Sequence, residues 1–129
     1  LNLLLDTHIW LWVLTDPSRI PEDVLELISS PENDIYVSAI SLWEVVIKSQ
    51  LGKIIVQDDL IAATEAQEMK FLPFSADHAV AISELPLHHK DPFDRALIAQ
   101  TLSHKLKLIT ADKAIHAYDD RIDALYVLQ

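Results

Sequence analysis

The 129-residue chain has no cysteine and one glycine, Gly52. The first absence excludes disulfides and thiolate metal sites. The second excludes a Walker-type phosphate loop and a Rossmann fingerprint, which need several glycines for close backbone approach to phosphate. Basic residues are scarce too: ten Lys and Arg face twenty Asp and Glu, a formal net charge of −10. That balance argues against a broad basic groove, which binds nucleic acid by displacing counterions from phosphates. Nucleic acid is then compatible only with divalent cations screening a local acidic cluster. A basic protein partner is favoured. No apolar run approaches the ~20 residues needed to span a bilayer. The N-terminus lacks the basic region of a signal peptide, so the expected compartment is the cytoplasm, with no membrane partner. Half of the residues are apolar, and the length suits a single domain over residues 1–129.

What is present alternates between strand and helix signals. Apolar residues 2–5 read as a strand ending at Asp6, and "THIWLWVL" as a buried helix that the prolines of "TDPSRIP" break. "PEDVLELISS" has Pro21 and acids where helix starts favour them. "DIYVSAI" reads as a strand and "SLWEVVIKSQLGK" as a helix closed by Gly52. "DDLIAATEAQEMK" is an amphipathic helix, "FLPF" a short strand, and "SADHAVAISEL" a helix capped by Ser75. In "DPFDRALIAQTLSHK" Asp91 caps and Pro92 takes the first helical position. "LKLIT" is a strand, "ADKAIHAY" a short helix and "ALYVL" a last strand. Strand–helix alternation without hairpin signals predicts an α/β layered fold with a mainly parallel sheet.

Ligands of such sheets bind at the carboxyl ends of the strands. Asp6 ends the first strand and Asp112 follows "LKLIT" by two residues, which predicts one shared edge. Glu44 shares a helical stripe with Ile40, Trp43, Ile47 and Leu51, and Asp94 shares one with Leu97, Ile98 and Thr101. Four carboxylates aimed at one edge repel one another, so either their pKa values rise or a cation balances them. All-oxygen donors select hard cations, Mg²⁺ or Mn²⁺. Each acid also has an ordinary local role. Asp6 and Asp112 stand where helix caps stand. Asp94 is a first-turn acid, and Glu44 has Lys48 four residues on. One shared site explains all four acids together more simply than four separate local roles.

The stretches "LLLDTHIWLW", "SLWEVVIKSQLGK", "KDPFDRALIAQT" and "LKLITADKAI" occur in the order and spacing of a known pattern. The chain resembles the PIN-domain family, and within it the VapC-type toxin ribonucleases of VapBC toxin–antitoxin pairs. The resemblance implies a three-layer α/β/α fold and metal-dependent endonucleolytic cleavage of RNA. It implies a homodimer, and an antitoxin whose basic C-terminal segment occupies the acidic groove. The family's metal-binding acids fall on Asp6, Glu44 and Asp94, the more variable fourth on Asp112. Thr110 matches a hydroxyl that orients the active-site water or metal shell. In the chemistry so implied, Asp6 and Asp94 bind Mg²⁺ or Mn²⁺ directly, while Glu44 and Asp112 complete the shell or hold a second ion.

Other classes fit less well. A haloacid-dehalogenase-type phosphatase needs a second Asp two residues after Asp6, where His8 stands. A response-regulator receiver needs an acidic pair near the first strand and a Lys after the last. A non-catalytic PIN-like module acting through an antitoxin or another partner keeps the same fold. His88 and His89 are solvated-loop residues or RNA contacts. Arg95, Lys48 and Lys53 are ion-pair residues or phosphate contacts. Trp10, Trp12 and Trp43 are expected to fill a core or an interface rather than stack on bases.

Overall fold

The computed structural model describes residues 1–55, 59–88 and 90–127. Its frame is a five-stranded sheet of β1 (Asn2–Leu5), β2 (Asp34–Ser38), β3 (Lys70–Leu72), β4 (Lys107–Thr110) and β5 (Asp123–Tyr126). The order is β3-β2-β1-β4-β5 and every pairing is parallel. Helices cover both faces: α1 (Thr7–Thr15), α2 (Glu22–Ser29), α3 (Ala39–Gln50), α4 (Leu60–Ala66), α5 (Ala76–Ser83) and α6 (Pro92–His104). Two 3-10 turns, Pro17–Arg19 and Lys113–Tyr118, complete the path.

The strands sort their side chains by the two-residue period of extended backbone. Leu3 and Leu5 of β1, Ile35 and Val37 of β2 and Ile109 of β4 face one layer, with Trp10 of α1, Val24 and Ile28 of α2 and Val45 of α3. Leu4 and Leu108 face the other, against Leu97 and Ile98 of α6 and Ile115 and Tyr118 of the second 3-10 turn. Leu3, Leu4 and Leu5 are all fully buried. A central parallel strand has no solvent face, which is why β1 reads as an unbroken leucine run. The predicted α/β fold, three-layered with a parallel sheet, is therefore the one observed.

Sequence order reverses direction across the sheet at β1. From there the chain moves outward through β2 and β3, then returns to place β4 and β5 on the other side. The segments leaving β1 and β4 depart to opposite faces, α1 into the first layer and Lys113–Tyr118 into the second. A crevice opens between them, at the kind of switch point where such sheets bind ligands. Asp6 and Asp112 flank it.

Caps were readable and ends less so. Asp6, Ser38, Asp59, Ser75 and Asp91 each accept backbone N–H groups at the start of the helix that follows. Gly52, at φ +74°, lies just past α3 and takes the left-handed conformation its position requires. The helix predicted over 58–70 is shorter: α4 ends at Ala66, because Glu68 adopts φ 60° and turns buried Met69 toward the sheet. Of that predicted helix, residue 58 lies outside the described residues. The strand expected at "FLPF" starts one residue earlier, at Lys70, and stops before Pro73, which has no N–H for a ladder. The short helix expected at "ADKAIHAY" is present as a 3-10 helix over Lys113–Tyr118. Among the described residues, no helix is long and apolar enough to cross a membrane.

Candidate active site

Asp6 is set by the end of β1. Its backbone N–H donates to Ile109 O at 2.9 Å, extending the β1–β4 pairing by one residue. Its side chain then turns two ways. Oδ1 accepts the Ile9 N–H at 2.8 Å and so caps α1, while Oδ2 accepts the Thr110 hydroxyl and the Ala111 N–H at 3.3 Å. The carboxylate is buried, and burial raises its pKa from the ordinary value against the opposing pull of these hydrogen bonds. The carboxylate that ends a run of leucines is thus surrounded by donors.

Thr110 links two acids. It is fully buried, donates to Asp6, and accepts the Asp112 N–H at 3.0 Å. Asp112 caps the following 3-10 turn through Ala114 N–H at 2.9 Å. Glu44 enters from α3 and is also buried. Its Oε1 accepts the Thr7 hydroxyl at 2.8 Å and its Oε2 lies 2.7 Å from Lys48 Nζ. Thr7 follows Asp6 directly, so one short segment holds two acids from different elements. Asp94 sits in the first turn of α6, with Leu97, Ile98 and Thr101 buried along the same helix.

The four acids line one cleft of about 360 Å³, whereas Thr110, fully buried, is not in its lining and meets it only through Asp6. Asp6, Glu44, Asp94 and Asp112 all contribute, as does Asp91, which also caps α6. Among the described residues, the lining thus holds five carboxylates and one lysine, Lys48. Sequence reasoning gave Asp91 only its capping role and did not place His8 or Trp12 in the wall, although His8 and Trp12 stand four apart on α1. That spacing beside Asp6 was the available signal. Among the described residues, no three His, Asp or Glu side chains close on a single point at ligating distance. Asp6, Glu44, Asp91 and Asp112 are each turned toward a local donor instead. The donor set, all oxygen and strongly anionic, still suits a hard divalent cation.

Several expectations change with the geometry. Glu44 is buried as predicted, but Trp43 and Leu51 of its proposed stripe are 57% and 65% exposed. Trp43 instead turns outward to meet Phe93 edge-on, with ring centroids 5.6 Å apart. Arg95 is buried, with its guanidinium on the carbonyls of Ile82, Leu85 and Pro86 at the end of α5, and holds two helices together. Lys53 is exposed and lies outside the cleft lining. His88 packs edge-on to Tyr118, and His89 lies outside the described residues. Trp10 fills the core and donates its indole N–H to Thr64 at 3.0 Å, as a buried tryptophan should.

Comparison with known proteins agrees with this architecture. The family model of the PIN domain matches residues 3–121. No curated protein is significantly similar in sequence. Among solved structures, VapBC2 of Rickettsia felis bound to a promoter DNA fragment superposes with a TM-score of 0.71 at 15% identity, over 98% of this chain and 99% of that one. DNA-bound VapBC of Salmonella typhimurium gives 0.69 at 17% identity, over 98% of each chain. FitAcB of Neisseria gonorrhoeae gives 0.62 at 21% identity, over 95% and 96%. At these identities the likeness is one of fold, and the family is carried by the match over residues 3–121: the chain belongs to the PIN domain family.

Proposed function

We propose that this chain is a metal-dependent endoribonuclease, the toxin of a VapBC-type pair. The observation that carries the reading is the convergence of Asp6, Glu44, Asp94 and Asp112 from four separate elements on one cleft. Membership in a family whose members are typically nucleases, generally using divalent metal ions, supports it. So does the likeness in fold to chains of toxin–antitoxin complexes.

Asp6, Glu44, Asp94 and Asp112 would hold Mg²⁺ or Mn²⁺. When bound, the cation supplies a Lewis acid that activates an attacking water and offsets charge on the phosphoryl oxygens. The chain's own residues prepare the site. Thr110 and the Ala111 N–H fix one oxygen of Asp6, and Thr7 fixes one of Glu44. Lys48 places a positive charge in the cleft wall, where it offsets the repulsion that five carboxylates exert on an entering phosphodiester. Burial raises the pKa of Asp6, and a cation bound at its carboxylate would oppose that shift by favouring the ionised form.

The same charge suits the proposed antitoxin. A basic C-terminal segment would place cationic side chains among these carboxylates, steered by the net charge of −10. The proposed homodimer would cover exposed apolar side chains such as Trp43 and Val46 on α3. One observation favours a second reading, a non-catalytic module acting through such a partner. Asp6, Glu44, Asp91 and Asp112 already have donors within the chain, and no three acids close on a point among the described residues.

Cleavage of a structured total-RNA pool separates the two. Antitoxin-free protein should give discrete fragments with Mg²⁺ or Mn²⁺, none with EDTA, and none with Asp94→Asn. Intact RNA under every metal condition, from protein shown to be folded, would leave the binding module as the function.

A further inference from the structure

The walls of the cleft differ in character. β1, α3, α6 and the segment after β4 contribute carboxylates, whereas α1 contributes two rings, His8 and Trp12. Their centroids are 6.2 Å apart with planes inclined at 51°. Trp12 packs against the inner core yet stays partly exposed. Arg19, from the 3-10 turn after α1, lays its guanidinium over the indole 4.3 Å from the ring centroid. This cation–π contact occupies one face of the indole.

We infer that Trp12 is a substrate-binding residue on which a nucleobase next to the scissile phosphodiester stacks, with Arg19 against the indole; this rests on the RNA-cleaving reading above. Every base has a π-face, so stacking needs no particular base edge. It supplies affinity that the acidic walls cannot, since they repel the phosphates on either side. Trp12 therefore contributes to binding the nucleotide, and the carboxylates to the chemistry. A purely structural Trp12 would affect melting but not the dependence of cleavage on a neighbouring base.

The experiment begins by mapping the main cut that wild-type protein makes in total RNA with Mn²⁺. A short RNA oligonucleotide spanning it is then made with an abasic site at each position flanking the cut. For wild type, one position should lower kcat/KM by about tenfold or more. Trp12→Leu should lose a similar factor on the intact oligonucleotide and nothing further on the abasic one, while Trp12→Phe keeps the sensitivity. Independently of any variant, 5-iodouridine at that position, irradiated with wild type in Ca²⁺, should crosslink to the peptide containing Trp12. Equal abasic effects in wild type and Trp12→Leu, or a crosslink mapping elsewhere, would overturn the inference while leaving the nuclease intact. No cleavage of any RNA by wild type would overturn both.

Discussion

Glu44 shows how one residue serves two purposes. Its carboxylate is buried on α3, yet Thr7 and Lys48 occupy its two oxygens at 2.8 and 2.7 Å. Seen as one of four repelling acids, it is a residue whose neutralisation should stabilise the metal-free protein. The ion pair with Lys48 reverses that expectation. Glu44→Gln is expected to lower the melting temperature in EDTA, with a loss of about 0.5–1 kcal/mol for a partly exposed pair, and to impair cleavage. A higher melting temperature would show that repulsion across the cleft outweighs the pair. The local roles and the shared site are in fact not alternatives. Asp6 and Asp112 cap, Asp94 stands in a first turn, Glu44 meets Lys48, and all four line the same cleft. Capping needs only one carboxylate oxygen, so the same side chain can cap a helix and line the cleft.

Helices α5 and α6 are tied by a pair of imidazoles. His78 Nδ1 accepts the Ser75 N–H at 3.0 Å, which places the proton on Nε2, where it faces His104 Nε2 at 2.7 Å. Protonating either ring sets two N–H groups against each other. Burial first, and then His104, depress the pKa of His78 below the ordinary 6.5, with Asp77 pulling weakly the other way. The unfolded chain therefore binds more protons below about pH 6.5, so stability rises with pH through this window. The contribution is full above the unfolded pKa and is lost as pH falls through the folded one. Urea midpoints should drop between pH 7 and pH 5 more steeply for wild type than for His78→Asn, and equal slopes would remove this pair as the cause. From sequence, Ser75 was legible as a cap, but not His78 as the other half of its capping box. The pairing with His104, 26 residues away, depends on how α5 and α6 pack.

At the scale of the molecule, a net charge of −10 and a cleft of five carboxylates make divalent cations a stability variable. An ion that binds only the native state adds RT ln(1 + [L]/Kd), about 2.7 kcal/mol at a hundredfold excess over Kd. Mn²⁺ should raise the melting temperature, chelator should reverse the rise, and Asp94→Asn should blunt it. A melting curve indifferent to both metal and chelator would count against a shared cation site. The sequence by itself determined the α/β alternation, the parallel sheet, the caps at Ser75 and Asp91 and which four acids to take as candidates. These depend on local periodicity and on residue types that favour one backbone conformation. Only the tertiary structure decided which acids meet, that Thr7 holds one oxygen of Glu44, and that Arg95 is buried among carbonyls. It alone placed Trp12 in the cleft wall beneath Arg19. The physical reason is the strand order. A crevice between β1 and β4 exists only because the sheet reverses direction there, bringing Asp6 within hydrogen-bonding reach of Thr110 across more than a hundred residues of chain.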